Sequence, residues 1–180
     1  MESNLFNSRR LILLSLSIGG LPTMGFVVFS FLSWLFVSIF TIIIKKLSII
    51  ENTVVFLLVL IISINYSWIV SEELKLITVT KKGLGYTAYL LIRSVIIPTV
   101  ILIHLNFLQA KETMVEKSIV IFTSVLLLSC ISSLSASLKI TDYSNWNFGF
   151  VVIYYLILNL IAILFYKLFK RISQNTVRVS

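Results

Sequence analysis

Two ionisable side chains stand inside one apolar stretch of this chain, Arg93 and His104, eleven residues apart. On a straight helix, at about 100° per residue, they would lie within roughly 20° of each other and about 16 Å apart along the axis. Pro98 falls between them and would kink the helix or open its hydrogen-bond ladder. An arginine at the bilayer centre costs at least about 2.5 kcal/mol, so it normally faces protein or water. One reading is a polar lane in which His104 relays protons and Arg93 sets the local field. The other is that each side chain reaches towards the nearer membrane surface. Lys45 and Lys46 are the next candidates for a proton path. They close the first apolar run, where cations favour a helix C-terminus, and a Lys45–Glu51 pair would be placed to gate access to internal water.

These side chains need a membrane-embedded frame. Residues 11 to 44 form one apolar run without an ionisable group, interrupted by Gly19-Gly20-Leu21-Pro22. A spanning helix needs only about 20 apolar residues, so the run is ample. Pro22 lacks a backbone N–H and its ring crowds the carbonyl of Ile18, while the glycines weaken a helix. Broken backbone at membrane depth is tolerated where protein or a water-filled cavity satisfies the freed groups. The break at Gly19, Gly20 and Pro22 therefore points to ion or solute handling. Further spans follow at about 53–70, 86–108, 118–138 and 148–169, with residues 72–85 as the longest polar connection. The fold class is all-α: a polytopic membrane helix bundle of about five transmembrane helices in a single domain, the first helix discontinuous.

Composition excludes several classes. The chain is 58% hydrophobic and 12% charged, which leaves too much apolar surface for a soluble domain. The net charge of +8 does not mark a nucleic-acid binder, because the basic residues sit in connections and tails rather than along a water-facing element. With five spans, six lysines and arginines fall on one side and eight on the other, too even a split to orient the chain. Cys130 is alone, so no intrachain disulfide forms, and it reads as a small buried packing residue. With one histidine, a His-rich metal site is not expected. No nucleotide, phosphate or zinc motif is present, and no redox cofactor is expected in the chain itself. Tyr86, Tyr89, Trp146, Tyr154, Tyr155 and Tyr166 read as interfacial anchors and packing residues, and the serines from 129 to 137 as a helix–helix interface.

Residues 14–26, LSLSIGGLPTMGF, resemble the LSLGGLPPLTGF-type motif of subunit 2 of respiratory NADH:ubiquinone oxidoreductase (complex I). The late segment LILNLIAILFYKLFKR is similar to an LNLxFYLRL-like helix of the same antiporter-like family. The resemblance implies a membrane-arm subunit of a proton-translocating complex in the mitochondrial inner membrane, with flavin and iron–sulfur clusters in other subunits. Chains of this family are longer, so the resemblance also implies a C-terminal fragment that packs against an N-terminal partner fragment, neighbouring subunits and lipids. The scarcity of alanine beside abundant Ile, Phe, Lys and Asn suits an AT-rich organellar genome. Where the family places a proton-path lysine, this chain has Phe29. Two other functions compete: a structural subunit that cements helices in a large complex, and a small transporter in which Arg93 binds an anionic solute.

Overall fold

The structure is a computed structural model that describes residues 23–143 and 147–177. The Gly19, Gly20 and Pro22 break, and Trp146, lie outside the described residues. Among the described residues five helices are long and apolar enough to cross a membrane, so the chain is an all-α, multi-pass membrane helix bundle. The first, α1 (Thr23–Ile42), runs without interruption through its described length. Gly25, Phe29, Ser33 and Phe36 recur at helical spacing and are buried, so one stripe of α1 faces the bundle. At Gly25 the helix packs closely on the ribbon side: a Cβ there would meet Ile140 Cδ1 at 2.7 Å, so that side chain would have to shift.

The second span is α2 (Ile49–Trp68) followed by a wide π-helical turn over Ile69–Glu73. Its start is set by a reciprocal cap: the Ser48 hydroxyl accepts from the Glu51 N–H, and the Glu51 carboxylate accepts from the Ser48 N–H. Helix α5 (Met114–Ser137) begins with the same device, built from Thr113 and Glu116. The sequence expectation of a loop from residue 72 is corrected at both ends. The wide turn carries α2 on to Glu73, and β1 (Thr78–Val79) follows before the third span opens at Gly83.

The third span is α3 (Gly83–Leu91), a second π-helical turn over Ile92–Ile96, and α4 (Ile97–Gln109). Pro98 accounts for that turn. Its ring would collide with the carbonyl four residues back, on Ser94, and it has no N–H to donate. The ladder widens instead, and the Ile97 N–H bonds to the Ile92 carbonyl, five residues back. This span is the axis of the bundle: 67% of its most apolar window is buried, against 22–33% for the other four.

After α5 comes β2 (Thr141–Asp142), then α6 (Phe148–Val177), longer than the expected 148–169. The strands β1 and β2 pair antiparallel, Thr78 opposite Asp142 and Val79 opposite Thr141. Each follows a helix that ends in a left-handed lysine, Lys75 with φ 52° or Lys139 with φ 55°. The turned chain then bonds back, Leu76 N–H to the Val70 carbonyl and Ile140 N–H to the Ser135 carbonyl, both at 3.0 Å. The ribbon ties the α2–α3 and α5–α6 connections together at one end of the bundle, the ribbon end.

Helix α5 meets α6 through hydroxyls. Ser124 donates to Asn159 at 3.0 Å and Ser132 meets the Tyr155 hydroxyl at 2.6 Å. Of the serines from 129 to 137 expected at a helix–helix interface, Ser132 bonds α6, while Ser133 and Ser137 are exposed. Tyr155 and Tyr166 are buried core residues rather than surface anchors. Cys130 is exposed, contrary to the expectation of a buried thiol. The inward face of α5 is taken by Ser124, Leu128, Ser132 and Ser135, and position 130 falls off that stripe.

Candidate functional site

Both wide turns border the same cavity. Val70 and Ser71 come from the turn after α2, Ile92 and Arg93 from the turn inside the third span. A π turn holds one extra residue and is tolerated where the surroundings over-determine it, and such turns are frequent at functional sites. The cavity measures about 70 Å³, room for a few waters. Tyr66 and Tyr154 wall it on the α2 and α6 sides, and Thr141 and Tyr143 close it from the ribbon. Much of its wall is aromatic ring and aliphatic side chain, with hydroxyls at a few points. Among the described residues no carboxylate lines it.

Arg93 is the charged group here. Its Nη1 donates to the Ser67 hydroxyl at 3.2 Å, and Ser67 in turn bonds the Tyr89 hydroxyl. The guanidinium carbon lies 5.6 Å from the centre of the Tyr89 ring, which adds a cation–π contact. The Arg93 Nε is buried and has no hydrogen-bond partner among the described residues. Among the described residues no carboxylate pairs with Arg93. Arg93 lies about 15 Å along its helix from Gly83, inside an apolar span where a charge needs protein or water around it. Around it, Ser71 is engaged with the Ser67 carbonyl at 2.7 Å, and the Tyr154 hydroxyl donates to Ser63 at 3.4 Å. The Tyr66 and Tyr154 rings stack with centroids 3.6 Å apart and 9° between planes.

His104 sits elsewhere. It lines a second cavity of about 10 Å³ between α4, α5 and α6, beside Ile101, Val120 and Asn159. Its Nδ1 is 2.7 Å from the Val100 carbonyl. A carbonyl can only accept, so Nδ1 carries the proton and Nε2 is left as the acceptor of the neutral ring. The two cavities share no lining residue. Ile96 and Val100, both essentially inaccessible, lie on the span between them. The expected common face of Arg93 and His104 is lost because the extra residue in the π turn rotates the remainder of the span by roughly 100° relative to a straight helix.

No protein family, no curated protein and no solved structure matches this chain. Lys45 and Lys46 are exposed at the end opposite the ribbon. Lys45 lies 4.9 Å from the centre of the Phe40 ring, and Glu51 is used in the cap of α2 instead of pairing with Lys45.

A further buried polar site was not singled out from the sequence. The Asn106 side-chain oxygen accepts from the Lys46 and Leu47 N–H groups at 2.9 and 3.1 Å. Its amide nitrogen donates to Asn52 and to the Leu102 carbonyl, both at 2.9 Å. Asn52 closes the set by donating to the Leu47 and Ser48 carbonyls at 3.0 Å. An asparagine within an apolar span is the sequence signal that would have found it.

Proposed function

We propose that this chain is a membrane-arm subunit of a proton-translocating NADH:ubiquinone oxidoreductase, in the mitochondrial inner membrane, contributing part of an antiporter-like proton channel. The single observation that supports this reading is Arg93: a cation about 15 Å along its helix, with an unpartnered Nε, in a cavity with room for water. In such a place a fixed positive charge raises the energy of a passing proton and tunes nearby proton carriers. The serine and tyrosine hydroxyls around Arg93 can donate and accept, as a proton relay requires. The resemblance over residues 14–26 supplies the choice of complex. Redox centres would belong to other subunits, and the apolar outer faces of α1, α2 and α6 would meet lipid, an N-terminal partner fragment or neighbouring subunits. Trp34, Ile61 and Leu164 are exposed on those faces.

A second reading, a structural subunit, is favoured by one observation. Buried Ile96 and Val100 lie on the span between the Arg93 and His104 cavities, which share no lining residue. On that reading the bundle is cement, and no continuous path crosses it. Purification from native membranes tests the proposal. The chain is expected to co-migrate with NADH dehydrogenase activity on a native gel. Isolation as a free protomer with no such activity contradicts it.

A further inference from the structure

A third cavity adjoins the arginine pocket and opens on the outer surface between α2 and α6. It measures about 290 Å³ and is walled by Ile62, Phe150, Ile153, Ile157 and Ile161. It shares Tyr66 and Tyr154 with the arginine pocket, so the stacked tyrosine pair is the common wall of the two spaces. One space is a greasy groove facing where acyl chains lie. The other, one ring thickness away, holds a cation with an unused donor and no carboxylate. Ile157 and Ile161 stand one and two turns beyond Tyr154 along α6, leading away from the ribbon end.

We infer that the groove and the arginine pocket form one binding site for a single-chain carboxylate amphiphile, a long-chain fatty acid. The acyl chain lies along Ile153, Ile157 and Ile161, and the carboxylate passes the tyrosine pair to meet Arg93. Charge complementarity selects the head. A carboxylate offers two acceptor oxygens to a guanidinium whose Nε is unmatched, and such pairs bond in bidentate fashion. Size excludes the bulkier alternatives: about 70 Å³ takes a carboxylate but not a phosphoglycerol headgroup. Neutralising Arg93 also removes the cost of its unpaired charge at depth. The site stands whether or not the chain belongs to an NADH-oxidising complex, because it rests on the groove and the unpartnered Nε alone.

The test uses the full chain in phosphatidylcholine vesicles at pH 9, with spin-labelled stearate, phosphatidylcholine and phosphatidylglycerol as probes. The motionally restricted fraction of each label is read by electron paramagnetic resonance. Stearate is expected to be favoured over phosphatidylcholine by about fivefold, the scale of one partly screened ion pair. It is also expected to exceed phosphatidylglycerol, and Arg93→Gln should erase the preference. Ile157→Trp, which fills the groove from an exposed position, should lower stearate restriction with Arg93 intact. That variant decides the matter if Arg93→Gln fails to fold. Equal restriction of all three labels, phosphatidylglycerol matching stearate, or a preference unchanged by Ile157→Trp overturns the inference.

Discussion

Two polar side chains of the central span, Asn106 and Arg93, are treated by the bundle in opposite ways. Asn106, at the end away from the ribbon, is 1% exposed and every donor and acceptor of its amide is used. Arg93, nearer the ribbon, shares a hydroxyl and a ring but keeps a buried donor without a partner. A satisfied buried amide fixes the α1–α2 turn against α4 and rigidifies it. A buried donor left unmatched costs free energy and persists where something else uses it. The difference separates a structural polar group from a candidate working one without reference to any relative.

The comparison breaks most visibly at Asn106. Asn106→Leu removes the acceptor of two backbone N–H groups and the donor to Asn52. The expected loss is about 3 kcal/mol of stability, since each buried group left unpaired costs roughly 1–3 kcal/mol. Reversible unfolding in mixed micelles measures it, and a loss below a few tenths of a kcal/mol would mean that water replaces the amide. A smaller effect is expected between α5 and α6. Tyr155→Phe deletes a single hydroxyl pair with Ser132 and should cost about 0.6 kcal/mol, the average for one interhelical bond in a membrane. Smallest on stability is Ser67→Ala in the arginine pocket. Ser67 meets Arg93 and Tyr89, yet waters in the cavity can take over its bonds, so the melting temperature should stay within about 1 °C. A large drop there would make Ser67 a packing residue and erase the contrast with Asn106.

Much of this frame is readable from residue order, and the reasons for the exceptions are local. Five spans follow from apolar runs near 20 residues, and the described helices match them to within a few residues at most ends. Arg93 stands out because an arginine in such a run has few ways to exist. Pro98 announces an opened ladder, but not that the opening is a π turn that swings His104 away from Arg93. The Asn52–Asn106 pair joins residues 54 apart, which no spacing rule anticipates. Tyr155 and Tyr166 are as apt for a membrane surface as for a core, and only the inward stripe of α6, through Val151, Leu158 and Ala162, buries them. The ribbon is two residues per strand, too short for a periodic signal.

The central claim is that Arg93 serves transport rather than architecture. Purified with its native assembly and reconstituted into vesicles, the Arg93→Gln variant should retain assembly and wild-type stability to within about 1 kcal/mol, because no carboxylate among the described residues is left unpaired by the change. NADH-driven acidification per NADH oxidised should fall by at least about tenfold, the effect of some 1.4 kcal/mol on a transfer barrier. A variant that pumps normally, or one that fails to assemble while Asn106→Leu assembles, contradicts the account.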